Sequence, residues 1–150
     1  MSRAGLVILL CLAAPACGGA SDEDTPQSAP AESVSQAAAP SVTIVSPAEG
    51  AFQEEREVEV FLRTTVPLAA AGDLTPGTGH HHLFLDADVG DPTAPIETVP
   101  GSIVHLGDGS DSYLFEDVGS GPHRLIAVVA DGAHVPLQPL VTDTVHFVVE

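Results

Sequence analysis

From residue 41 to the end of the chain, apolar and polar positions alternate in short runs separated by Gly, Pro and Asp. The segment 57–66 (EVEVFLRTTV) shows the pattern best. Val58, Val60 and Leu62 fall on one side of an extended chain, while Glu57, Glu59 and Arg63 fall largely on the other. A two-residue period of this kind marks a half-buried strand. Similar runs predict strands near 41–46, 57–66, 80–87, 102–106, 112–117, 122–131 and 141–149. No stretch carries a helical period, and the 14 Gly and 13 Pro interrupt any long helix. Short strands with turn residues between them predict an all-β sandwich of about seven strands over residues 41–150. The run from Gly121 to Gly132 (GPHRLIAVVADG) is a tight turn, a corner residue and a long apolar strand ending in Asp-Gly. It resembles the penultimate strand of bacterial immunoglobulin-like domains, so the expected fold is an immunoglobulin-like β-sandwich.

The first 40 residues follow a different logic. Arg3, the apolar run Leu6 to Ala14 and the small-residue stretch Ala14-Pro15-Ala16 read as a signal peptide over 1–16. At ~1.5 Å per residue such a run spans about half of a bilayer core, too little for a permanent helical anchor. Cys17-Gly18-Gly19 follows and resembles a lipobox, with Ala14 where leucine is usual, so Cys17 is the expected lipidation site. Residues 17–40 are Gly, Ser, Ala, Pro and acid, the composition of a disordered tether with a root-mean-square reach of about 25–30 Å. The expectation is an exported protein held at the cell envelope by its N-terminal lipid, with the outer membrane favoured because Gly18 is not aspartate.

Composition narrows the partners. The chain has 21 acidic against 4 basic residues and a formal net charge of −17. Nucleic acid is excluded because no cationic surface exists to displace phosphate counterions, and anionic headgroups are no better matched. Cys11 leaves with the signal peptide and Cys17 is blocked by lipid, so no disulfide is expected in the domain.

All seven histidines lie in the domain: His80, His81, His82, His105, His123, His134 and His146. On a strand, His80 and His82 share one face while His81 joins Leu83 and Leu85 on the other. His-x-His on a strand offers two imidazoles to one ion, a donor type that suits zinc, copper and nickel. His105, ending a short strand, and His134, in a loop, are the candidate third and fourth ligands. His81 faces apolar neighbours, His123 occupies a corner with a structural role, and His146 faces solvent. Asp86, Asp88 and Asp91, and Asp108 with Asp111, are oxygen-rich turns that match either calcium loops or ordinary Asx turns.

The segments GTGHHHLFLDADV, PIETVPGSIVHLGDG and SGPHRLIAVVADGAHVPLQPLVTDTV resemble, in this order and spacing, the bacterial DUF4399 family over about residues 42–149. The family has no agreed function. Its His-x-His-Phe-Gly segment corresponds to Ile103–Gly107, which keeps His105 alone, and its His-Val-Pro-His corresponds to His134–Leu137, which keeps His134 alone. The departures imply a reduced ligand set with water in an open position.

The specific expectation is therefore a divalent transition metal, Zn or Cu(II), at His80, His82, His105 and His134. Its binding should weaken below about pH 6 as protons compete for imidazole. The alternative is an immunoglobulin-like module for a protein or glycan partner, with structural histidines. An enzyme is the third reading: the hydrolase elbow, zincin helix, phosphate loop and dinucleotide fingerprint are all missing, and no general base is placed.

Overall fold

The computed structural model describes residues 38–150. The expected signal peptide, Cys17 and nearly all of the expected tether lie outside the described residues.

Two sheets pack face to face. The first holds β1 (Val42–Ser46), β3 (Val58–Thr64) and β6 (Ser112–Phe115) in the order β1-β3-β6. The second holds β2 (Ala51–Gln53), β4 (His80–Leu85), β5 (Ile103–Leu106), β7 (Gly121–Ala130) and β8 (Thr142–Val149) in the order β2-β8-β7-β4-β5. Every pairing is antiparallel except β2 with β8, which is parallel. The fold class is all-β, an immunoglobulin-like sandwich of eight strands rather than seven. The additional strand, β2, has three residues, too few for alternation to register in the sequence.

The core lies between the sheets, where alternate residues of each strand point inward. Val42, Ile44, Val58, Val60 and Leu62 of the first sheet meet Leu83, Leu125, Ala127, Val129, Val145 and Phe147 of the second. Fully burying a Val, Leu, Ile or Phe side chain contributes about 1.5–3 kcal/mol.

Strand β4 departs from the half-buried pattern, because all six of its residues are buried. It lies between β7 and β5, with His81, Leu83 and Leu85 on the core face. The opposite face, with His80, His82 and Phe84, is closed as well. The segment after β7 turns at Asp131 and carries the His134 ring to within 5.1 Å of that of His80. The segment after β4 meets it there: the Ile96 N–H donates to the His134 carbonyl at 2.9 Å, and Gln138 Nε2 donates to the Pro92 carbonyl at 3.0 Å. Two irregular segments thus form a partial third layer over one end of the five-stranded sheet.

β4 stops at Leu85 rather than residue 87. Asp86 has a φ of 53°, and its carboxylate accepts from the Arg124 N–H at 2.8 Å and from His123 Nδ1 at 2.7 Å. That cap ends the ladder and begins the long connection to β5.

Candidate metal centre

The centre is assembled from three elements. β4 contributes His80 and His82, which its pleat points to the same side. β5 runs antiparallel to β4 in a register that sets His105 directly opposite His82. The third element is the turn after β7, where the Asp131 carboxylate accepts from the N–H groups of Ala133 at 2.8 Å and Val135 at 3.0 Å. Within this Asx turn His134 adopts a φ of 66°, a left-handed conformation uncommon for a residue with a side chain. Its N–H donates to the Asp131 carbonyl at 2.9 Å.

The four rings cluster, and the donor nitrogens of three of them converge. One ligand-type nitrogen from each of His80, His82 and His105 lies within 4.8 Å of the others. His80 Nε2 is 3.1 Å from His82 Nε2, and His134 Nε2 is 3.2 Å from His105 Nε2. Neighbouring ligands around a tetrahedral ion with metal–nitrogen distances of 2.0–2.1 Å stand about 3.3 Å apart, so both contacts approach that spacing. The same two contacts also serve as imidazole–imidazole hydrogen bonds when no ion is bound.

Burial grades across the cluster. His80 and His82 are fully buried, whereas His105 and His134 are half-buried and form its solvent side. Desolvation, reinforced by the neighbouring imidazoles, lowers the His80 pKa to about 4 and that of His82 to about 3. His105 is lowered by desolvation first and by His134 second. His80 and His82 are therefore neutral at pH 7, the form that coordinates metal. His80 Nδ1 and His82 Nδ1 have no hydrogen-bond partner, so these two rings lack the outer carboxylate or carbonyl that usually orients a metal-binding imidazole.

The other histidines stand apart. His81 is buried in the sandwich, where its Nδ1 donates to the Ser110 carbonyl at 3.0 Å. His123 bonds back to the Gly119 carbonyl at 2.7 Å and to Asp86, so its role at the corner is structural. His146 is exposed beside Glu49. The oxygen-rich turns are Asx turns or ion-paired loops. Asp91 accepts from Thr93, Asp108 accepts from the Ser110 N–H, and Asp88 meets Arg124 Nη2 at 2.6 Å. Among the described residues, neither aspartate set gathers into a group of metal-type donors.

Two positions that shape the cluster escape a reading of ligand types. A Cβ at Gly107 would collide with Cε1 and Nε2 of His105, so the missing side chain is the space the His105 ring occupies. Asp131 sets the turn that presents His134. The signals were a glycine two residues after His105 and the Asp-Gly-Ala-His order. The positions where the family carries further histidines have become apolar: Ile103 pairs with Phe84, and Leu137 packs against the core.

No curated protein matches the chain. Among solved structures, the fibronectin(III)-like modules of CbhA from Clostridium thermocellum align at 12% identity and a TM-score of 0.44, over 73% of this chain and 96% of that one. A crystal structure of an engineered protein aligns at 13% identity and a TM-score of 0.40, over 76% of this chain and 21% of that one. The match that identifies the chain covers residues 58–150, more than half its length and all four clustered histidines: the protein belongs to the family described as Domain of unknown function (DUF4399).

Proposed function

We propose that the domain binds one divalent transition-metal ion, zinc or copper(II), through His80, His82 and His105, with His134 beside them. The observation that carries this reading is the convergence of ligand-type nitrogens from these three histidines within 4.8 Å on a buried sheet face. The two rings of β4 face each other through Nε2, 3.1 Å apart, while His80 Nδ1 and His82 Nδ1 are buried without partners, and each such group costs about 1–3 kcal/mol. Coordination through Nε2 leaves both Nδ1 atoms unpaired, so the metal–nitrogen bonds have to outweigh that cost. The role that follows is holding metal for storage, delivery or structure.

The segment Ala14-Pro15-Ala16-Cys17 supports an exported protein anchored through Cys17, with the domain carried on the tether at the envelope surface. A second reading, a module for a protein or glycan partner, is favoured by Val45, Phe61 and Leu114, which are 48%, 43% and 43% exposed on strands or strand ends of the first sheet. The experiment that separates the two is isothermal titration of the metal-free protein with Zn2+, Cu2+ and Ni2+ at pH 7.5. Metal binding predicts a one-to-one isotherm that disappears in the His80→Ala/His82→Ala double variant. Absence of binding, or binding that survives the double variant, rejects the histidine site.

A further inference from the structure

We infer that the coordination shell is a closed tetrahedron of four imidazoles, with His134 as fourth ligand, and that this shape narrows the usual preference of imidazole sites for Cu2+ over Zn2+. The inference rests on the metal reading above and goes beyond it in ligand number, metal preference and the class of function the site can serve.

The six distances between the four ring centroids carry the geometry. They are 5.0 Å (His80–His82), 4.8 Å (His80–His105), 5.1 Å (His80–His134), 5.0 Å (His82–His105), 5.7 Å (His82–His134) and 4.7 Å (His105–His134). Four points in a square have two diagonals about 1.4 times longer than their sides, as a tetragonal Cu2+ site requires. Here the longest separation is 5.7 Å and the shortest 4.7 Å, with no pair of diagonals set apart. A regular tetrahedron has six equal edges. For metal–nitrogen bonds of 2.0–2.1 Å the centroid edges come to about 5.2 Å, near the middle of the observed range. The donor nitrogens of His80, His82 and His105 already lie within 4.8 Å of one another; His134 stands outside that group with its Nε2 3.2 Å from His105 Nε2, so its ring must rotate toward the other three to close the shell.

The arrangement is also hard to flatten. His80 and His82 are fully buried on a strand hydrogen-bonded along both edges. The His105 ring sits in the space left by Gly107, and the backbone at His134 is held by the Asp131 turn and by the Ile96 hydrogen bond, its ring free to rotate about the side-chain bonds. Unconstrained imidazole sites follow the order in which Cu2+ exceeds Zn2+. A tetrahedral cage on a held backbone denies Cu2+ its preferred plane, whereas Zn2+ takes four tetrahedral nitrogens.

Closure decides the class of function. Catalytic zinc keeps three protein ligands and an open position for water, whereas four protein ligands leave none. With His134 bound, the site holds zinc and does not hydrolyse. Its solvent side is formed by His105 and His134, and His134 stands on a turn rather than a strand, so metal enters and leaves past the His134 turn.

The test uses the metal-free protein with Co2+ as the spectroscopic stand-in, followed by competition between Zn2+ and Cu2+. The expected result is the intense visible absorption of four-coordinate cobalt, lost on adding one equivalent of Zn2+. Cu2+ should be favoured over Zn2+ by less than about tenfold. His134→Ala should convert the cobalt spectrum to the weaker absorption of a water-ligated centre and widen the Cu2+ preference beyond about a hundredfold. Asp131→Ala, which keeps all four imidazoles but loosens the turn, should lower Zn2+ affinity several-fold and gives a second readout if His134→Ala misfolds. A six-coordinate cobalt spectrum, a Cu2+ preference of several orders of magnitude in the unaltered protein, or a His134→Ala variant with unchanged spectrum overturns the tetrahedral proposal and leaves the three-histidine site standing. Failure of Co2+, Zn2+ and Cu2+ all to bind overturns both.

Discussion

His82 and His105 face each other across the β4–β5 ladder, their ring centroids 5.0 Å apart and their planes inclined by only 29°. The backbone register alone sets this pairing, because opposed residues of neighbouring antiparallel strands project to the same side. The two rings should therefore act as one unit in holding metal. Replacing either with alanine is expected to weaken Zn2+ binding at least about a hundredfold, close to 3 kcal/mol. The double replacement should cost much less than the sum, since the first already dismantles the shell. Titrating the four proteins of the cycle measures the coupling, and strict additivity would show that the rings do not share an ion.

Gly107→Ala tests placement without touching a ligand. The added methyl occupies the position of the His105 ring, which must rotate away. Zn2+ affinity should fall by about tenfold or more, ~1.4 kcal/mol. Thermal stability of the metal-free protein should change little, because His105 is half-buried at the solvent side of the cluster. Titration and melting of the same sample distinguish a displaced ring from a damaged fold.

Acid should destabilise the metal-free protein through the buried pair. Their pKa values are about 4 for His80 and about 3 for His82 when folded, against the ordinary 6.5 of a solvated imidazole. Between pH 6.5 and about 4 the unfolded chain therefore binds more protons than the folded one, and stability falls as pH falls through that window. Above pH 6.5 this pair adds no pH dependence. Denaturant melts from about pH 8 down to about pH 4 should show the slope, and His80→Ala/His82→Ala should flatten it.

The strand alternation, the two-sheet architecture and the shared face of His80 and His82 were legible because each follows from a two-residue period. His105 and His134 could be nominated but not positioned. Whether His105 meets His82 depends on the β4–β5 register, and whether His134 reaches them depends on a turn made by Asp131. The covered outer face of β4 was not legible at all. The segments that cover it have no period, and Phe84 and Val128 read equally well as inward or outward residues. Loss of the family's histidines at Ile103 and Leu137 pointed to an open shell; Ile103 pairs with Phe84 and Leu137 packs against the core, and the donor nitrogens that converge are those of His80, His82 and His105.

The proposed lipid anchor is tested at Cys17. With serine there the proposed diacylated anchor cannot form, and on that reading the protein should move from the membrane to the soluble fraction while its melting temperature is unchanged, since the domain core is drawn from residue 42 onward. Fractionation in high salt with the Cys17→Ser variant still at the membrane would show that lipid is not the anchor.

The pH dependence of metal affinity should be shallower than four ordinary imidazoles would give. Each ligand protonated in the free protein adds one unit to the slope of log K against pH, because its proton must leave before the metal binds. Four histidines titrating near their usual ~6.5 would produce a slope approaching four on the acid side, with binding collapsing below about pH 6. Burial changes the count. His80 and His82, at about 4 and about 3, carry no proton to displace between roughly pH 7 and 5, and His105 is shifted in the same direction. The slope over that window should not exceed two, and binding should persist into the range where exposed histidine clusters release their metal. Zn2+ titrations at half-unit intervals from about pH 7.5 to about pH 5 measure it directly. A slope near four would mean that water reaches His80 and His82 in the metal-free protein and that the cover over β4 opens before metal enters.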